Sequence, residues 1–272
     1  MSSPKKPTAL ITGASRGIGY ELTKIFAREG YNLVLVARDK AKLLEVANEM
    51  KSAHGSIVHI MVKDLTKTAA AQEIVAALKN EGITIEALVN NAGVGLFGDF
   101  TSTNLNDELD MIQINIITLT ALTKYLLRDM VRKNHGKILN VASIAAFQPG
   151  PLMAVYYATK AYVLSFSEAL ANELKGTNIT LTTLCPGPTE SEFQARAGME
   201  SSAIFENAAS AKEVAEAGYD GLMHNKSVVV PGKKNRTMLF CERFLPRKFI
   251  TAFVRRAQDR RATFISPPKE KK

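Results

Sequence analysis

Short runs of β-branched and aliphatic residues alternate along this 272-residue chain with longer segments whose apolar positions recur at helical spacing. The strand candidates are Thr8 to Thr12, Asn32 to Ala37, Ser56 to Val62, Ala87 to Asn90, Lys137 to Ser143, Thr180 to Cys185 and Ser227 to Pro231. Between them lie helical patterns at Gly17 to Arg28, Lys40 to Ala53, Thr68 to Lys79, Asn106 to Lys133, Met153 to Leu174 and Ala211 to Met223. Each is long enough for a crossover between parallel strands. The alternation therefore predicts an α/β fold, a parallel sheet flanked by helices. Gly187 to Ala209 lacks strand character and follows a strand end, where open α/β sheets bind ligands, so it is a candidate lid.

A hydrophobic content of 46% supports one large core. We expect one catalytic domain over residues 1–231 and an extension over 232–272. Cys185 and Cys241 are too few for a disulfide framework and have no metal-ligand spacing, which fits a reducing, cytoplasmic setting and no metal. Met1 to Pro7 is polar and carries no signal-peptide core, and no apolar stretch approaches the length of a membrane span. From Gly232 onward thirteen Lys and Arg face three Asp and Glu, so the net charge of +9 resides in the extension. A basic stretch can meet nucleic acid, anionic lipid or an acidic partner, or be a solvated surface helix. Without aromatic interleaving or a recognised motif, no nucleic-acid partner is expected.

Thr12-Gly13-Ala14-Ser15-Arg16-Gly17-Ile18-Gly19 joins the first strand to the first helix. Glycines there allow a tight turn and close backbone approach, and the helix start offers free N–H groups to a pyrophosphate. The second strand ends in Ala37-Arg38. An acidic residue at that point would favour NAD; Arg38 with Arg16 suits the 2′-phosphate of NADP instead. Asp64-Leu65, after the third strand, either holds the adenine edge or caps the next helix.

The proton chemistry is suggested by Ser143, thirteen positions before Tyr156, and Lys160, four after it. On one helix, Tyr156 and Lys160 share a face, so the ammonium can lower the phenol pKa. Ser143, at a strand end, can hydrogen-bond a reacting oxygen.

Together Thr12 to Gly19, Asn90-Asn91-Ala92-Gly93, Ser143, Tyr156 to Lys160 and Pro186-Gly187 resemble the short-chain dehydrogenase/reductase family over roughly residues 8 to 231. The resemblance implies a seven-stranded, doubly wound Rossmann-like sheet that binds NAD(P)(H), in a homodimer or homotetramer. It implies Tyr156 as general acid/base, Lys160 on the nicotinamide ribose, Ser143 orienting the carbonyl, and Asn115 helping to hold a water of a proton relay. It also implies cofactor contacts from Asn91, Ala92 and Gly93 and from Pro186, Gly187 and Thr189, the last bonding the carboxamide. Tyr157 and Thr159 replace commoner serines. Tyr157 lies only i+3 from Lys160, so Tyr156 fits the family spacing better.

The segments around Tyr156 are similar to those of hydroxysteroid dehydrogenases and long-chain 3-oxoacyl-CoA reductases, which implies an apolar carbonyl substrate. Leu96, Phe97, Phe147, Met153, Phe193 and Met199 are candidates for its pocket. In the extension, Phe249 with Phe253 and Ile250 with Val254 are i,i+4 pairs with basic flanks. Such a stripe packs on its own domain or a second subunit, or docks on anionic lipid or the phosphates of an acyl carrier. The alternative to an NADPH-dependent enzyme is a non-catalytic sensor or scaffold that binds NADPH and acts through this tail.

Overall fold

The predicted alternation forms a single parallel sheet. The computed structural model describes residues 6–199 and 208–259. The strands are β1 (Thr8–Thr12), β2 (Asn32–Ala37), β3 (Val58–Val62), β4 (Ala87–Asn90), β5 (Gly136–Val141), β6 (Ile179–Leu184) and β7 (Val228–Val229), ordered β3-β2-β1-β4-β5-β6-β7. Every pairing is parallel. This is a doubly wound Rossmann-like sheet, and its order reverses between β1 and β4, which opens a crevice at the carboxyl ends of those strands.

Both faces of the sheet are covered, which is why the inner strands are buried at nearly every position rather than at alternate ones. On β2, Leu33 and Leu35 pack with Leu22 and Phe26 of α1 (Gly17–Arg28), Leu43 and Met50 of α2 (Lys40–His54), and Val214 and Leu222. Val34 and Val36 point the other way, to Ile74 and Leu78 of α3 (Ala70–Asn80) and to Leu122 and Leu126. Each fully buried Leu, Ile or Phe contributes about 1.5–3 kcal/mol over leaving it exposed.

One predicted helix is interrupted. In place of Asn106 to Lys133 the chain forms α4 (Leu105–Ile112), a π-helical turn (Gln113–Thr118) and α5 (Leu119–Lys133). The wider turn buries Gln113, Asn115 and Thr118; Gln113 bonds Thr118 within the turn, while Thr118 bonds the Leu65 carbonyl and Asn115 bonds Val94 and Thr159 outside it. Apolar periodicity alone does not register such a turn, because α4 and α5 still share one buried stripe.

The remaining helices are α6 (Ala154–Glu173), the short α7 (Phe193–Arg196), α8 (Ala211–Met223), α9 (Lys233–Glu242) and α10 (Arg247–Asp259). Beneath the crevice, Asn90 donates to Thr123 and Asn140, and Asn140 donates to Ser167, all fully buried. These bonds fix α5 and α6 against β4 and β5. The segment proposed as a lid is pinned at its base, where Glu190 N–H donates to the Ala209 carbonyl and Ala209 N–H to that of Pro188. Its residues 200–207, and the tail from residue 260, including Arg260 and Arg261, lie outside the described residues. Among the described residues no helix is long and apolar enough to cross a membrane.

Candidate active site

At the carboxyl edge of the sheet one cavity of about 710 Å³ runs from the glycine turn to the C-terminal helices. Its first wall is the turn after β1, locked to the end of β4. The Thr12 hydroxyl accepts from the N–H groups of Asn91 and Ala92, both at 3.0 Å, and donates to the Val89 carbonyl. Asn91 in return donates through Nδ2 to the carbonyls of Thr12 and Gly13. Gly13 has φ +65°, and a Cβ on Gly19 would sit 2.1 Å from the Gly13 carbonyl oxygen, so neither position accepts a side chain without rearrangement.

Of the expected cofactor residues, Gly13, Ser15, Arg16, Gly17, Ile18, Arg38, Asp64, Leu65, Asn91, Ala92, Gly93, Pro186, Gly187 and Thr189 line the cavity. Gly19 does not; it is buried beneath the turn, close against the Gly13 carbonyl and Asn91. The donor set fits a dinucleotide: an open helix start, a cradle that a Cβ would fill, and cations at the rim.

The rim is more engaged than the sequence suggests. Arg16 pairs with Glu192 and, at 3.1 Å, with Asp39. Asp39, immediately after Arg38, caps α2 by accepting from Lys42 N–H, and this bond, helped by Arg16, holds its carboxyl below the usual range. That acid is therefore committed to structure, while Arg38 stands exposed at the cavity edge. Asp64 does not cap α3. It accepts from Thr66 N–H to close a turn, and that bond, with Arg38 nearby, keeps it ionised.

The second wall carries the expected trio. Ser143 lies two residues past β5 in extended backbone, where its hydroxyl accepts from Ala145 N–H and starts a short 3₁₀ turn (Ile144–Phe147). Tyr156 and Lys160 share a face of α6, and Lys160 Nζ lies 5.8 Å from the Tyr156 ring centre. The ring also packs against Tyr157 at 6.0 Å and Phe193 at 5.3 Å between centres. All three of Ser143, Tyr156 and Lys160 line the cavity.

The electrostatics correct one expectation. Burial pushes the Tyr156 phenol up rather than down, opposed by a hydrogen bond with Ser143. Lys160 is itself brought down to about 8 by burial, and its Nζ donates to the Val141 carbonyl at 3.0 Å instead of to the phenol. Desolvation is the leading influence on both groups.

Asn115 lies off the cavity wall. Its Nδ2 donates to the Val94 carbonyl and the Thr159 hydroxyl, and its Oδ1 accepts from Val94 N–H. A methyl at Gly93 would sit 3.2 Å from Lys160 Nζ and 3.3 Å from Asn115 Oδ1, so Gly93 lies close to both. Asn115 thus sets the loop that faces Lys160. Thr159, a replacement for the commoner serine, supplies the hydroxyl that receives it.

The apolar end differs from expectation. Met153, Phe193 and Met199 line the cavity as foreseen, but Leu96, Phe97 and Phe147 do not. Phe97 packs with Met153, Ala197 and Met199, and Phe147 with Val163 and Cys185. Their place is taken by Lys234, Asn235 and Met238 of α9 and Phe253, Val254, Ala257 and Gln258 of α10. The i,i+4 pairs of α10 hinted at a docked helix. Ile250 and Val254 are indeed buried, while Phe249 and Phe253 are 68% and 65% exposed.

A family profile described as short chain dehydrogenase matches residues 7–201. The 17-beta-hydroxysteroid dehydrogenase type 3 of Mus musculus is 36% identical over 180 residues, 65% of this chain and 58% of that protein. The ketoacyl reductase HetN of Nostoc sp. is 32% identical over 180 residues, 66% of this chain and 62% of its own. The matches thus span about three fifths of the length of these relatives. Among solved structures, a short-chain dehydrogenase from Sphingobium yanoikuyae in complex with NADPH superposes with a TM-score of 0.80 at 32% identity, covering 88% of this chain and 93% of that one.

Proposed function

The chain belongs to the short-chain dehydrogenase family, and from that premise we propose an NADP(H)-dependent oxidoreductase that interconverts an apolar carbonyl compound and its secondary alcohol. The observation that carries this reading is the meeting of Ser143, Tyr156 and Lys160 on the cavity that also holds the glycine turn. When bound, the nicotinamide coenzyme supplies or accepts the hydride.

Tyr156 gives its proton to the carbonyl oxygen in reduction. Burial keeps the phenol protonated at neutral pH, which suits an acid. Ser143 donates to the same oxygen and fixes its position. Lys160, brought down to about 8 by burial, would hold the ribose of the coenzyme and return a proton towards the tyrosinate. Asn115 is a positioning residue that holds the loop opposite Lys160. The NADP preference rests on Arg38 at the rim and on Asp39 being occupied by Lys42 N–H and Arg16.

Consumption of NADPH with a panel of ketones, aldehydes and 3-oxoacyl thioesters tests the reading. Tyr156→Phe is expected to lose about 10²–10⁴ in kcat. Equal rates in both proteins would remove Tyr156 from the mechanism, and NADPH binding without turnover of any carbonyl would favour the sensor or scaffold reading.

Two assembly readings accompany it. Exposed Leu105, Leu109 and Ile117 along α4 and the π turn support a homo-oligomer, which light scattering tests. Exposed Phe240, Phe244, Phe249 and Phe253, beside Arg243, Arg247, Lys248 and Arg255, support contact with an anionic membrane surface at the cavity mouth. Flotation with anionic liposomes is expected to weaken with salt and to be lost on truncation after Gly232; unchanged flotation of the truncated protein excludes the tail.

A further inference from the structure

We propose that Tyr157 and Gln258 form a second polar subsite in the substrate cavity, which holds a hydroxyl group carried by the apolar substrate at a position remote from its reacting carbonyl. The inference rests on the oxidoreductase reading and adds a recognition element that neither the glycine turn nor the catalytic trio contains.

Gln258, in the last turn of α10, is 4% exposed and lines the cavity. Its Nε2 donates to the Tyr157 hydroxyl at 2.9 Å across a sequence separation of 101 residues, while its Oε1 is buried without a hydrogen-bond partner among the described residues. A buried amide oxygen left unpaired is destabilising, and such groups in folded proteins normally find a partner. The Tyr157 oxygen accepts from the amide, which leaves its own proton free to be donated. The pair therefore offers one donor and one acceptor side by side. Exchanging the amide oxygen and nitrogen leaves the same complement, with the roles reversed. A hydroxyl is the smallest group that answers both at once.

The surroundings sharpen the point. Met153, Phe193, Met238 and Val254 are apolar members of the same lining, which Gln148, Lys234 and Asn235 also reach, and the pair is a buried polar feature of the kind that orients a ligand in a largely apolar pocket. Burial pushes the Tyr157 phenol up to about 12, so it remains a donor throughout the neutral range. Tyr157 also stands beside Tyr156 on α6, with ring centres 6.0 Å apart, so one bound molecule can reach both. The reacting carbonyl then belongs to Tyr156 and the second oxygen to Tyr157.

The test uses matched pairs of cyclic ketones, with and without a hydroxyl, in which the position of the hydroxyl is varied. For the best-placed hydroxyl the wild-type protein is expected to show kcat/KM roughly tenfold or more above the deoxy compound, carried mainly by KM. Gln258→Met and Tyr157→Phe are each expected to bring that ratio close to one. Turnover of the deoxy ketone by the same variants reports whether α10 still closes the site. Should Gln258→Met fold poorly, the wild-type ratio alone decides. A ratio near one at every hydroxyl position, or a ratio unchanged in Gln258→Met, overturns the subsite. If no ketone is turned over, the oxidoreductase reading fails separately, and tighter binding of hydroxyketone than of deoxy ketone to the NADPH-loaded protein, followed by NADPH fluorescence, still reads the subsite.

Discussion

The two ends of the cavity are built from different material. At the glycine-turn end the wall is largely main chain, closed by Thr12 and Asn91 across β1 and β4, the two strands between which the sheet order reverses. At the other end it is side chains from α6, the 188–199 segment, α9 and α10, held by Ile250, Val254 and one hydrogen bond to Tyr157. A wall of main chain is fixed by the sheet and tolerates almost no added volume. A wall of side chains on terminal helices can be recut without disturbing the sheet. The comparison teaches that the glycine-turn end is rigidly specified by main chain, whereas the other end is shaped by side chains that include those of the last two helices.

Four measurements break or sharpen that contrast. The largest effect is expected from Gly19→Val, whose added Cβ meets the Gly13 carbonyl: NADPH affinity should fall about a hundredfold or more, with a lower Tm. Unchanged affinity would show that the turn is not where the coenzyme binds. Next, Arg38→Leu should reduce the NADPH-over-NADH preference by about 10–100-fold, the worth of a charge-assisted bond of ~1.5–3 kcal/mol. A constant ratio would transfer the selectivity to Arg16.

The double change Ile250→Ala and Val254→Ala removes the buried side of α10. We expect KM for bulky ketones to rise roughly tenfold while NADPH affinity is unaltered, at a stability cost of about 2 kcal/mol or more. Parallel losses in both would mean that the two ends are not independent.

The smallest effect concerns pH. Lys160 has its pKa lowered from 10.5 to about 8 in the fold, so between those values the unfolded chain binds the extra proton. Stability from this group therefore rises with pH from about 8 to 10.5 and is least below 8. Thermal unfolding of the coenzyme-free protein should show Lys160→Met more stable than wild type near pH 7, with the gap closing as pH rises. A gap that is constant with pH would mean that Lys160 is charged at no cost.

Much of this was legible before any coordinates. The β1 and β2 spans, α1 and α8 follow from apolar period, and the trio follows from the i,i+4 relation on α6. Other features were not. The π turn leaves the apolar stripe of α4 and α5 intact, so only the burial of Gln113, Asn115 and Thr118 reveals it. Asp39 beside Arg38 draws no reading from the sequence, and its commitment to Lys42 N–H and Arg16 depends on where α2 starts. Phe97 and Phe147 have the same apolar character as Phe193, and which of them faces the cavity is set by packing alone.

The sequence by itself determined the parallel sheet, the glycine turn and the residues able to carry a proton, because those depend on local periodicity and on spacings of a few residues. Only the tertiary structure decided that Lys160 donates to Val141 rather than to the phenol, that α10 splits its apolar pairs between core and surface, and that Gln258 meets Tyr157. Those outcomes depend on desolvation and on contacts between residues as far as 101 positions apart, which no local pattern encodes.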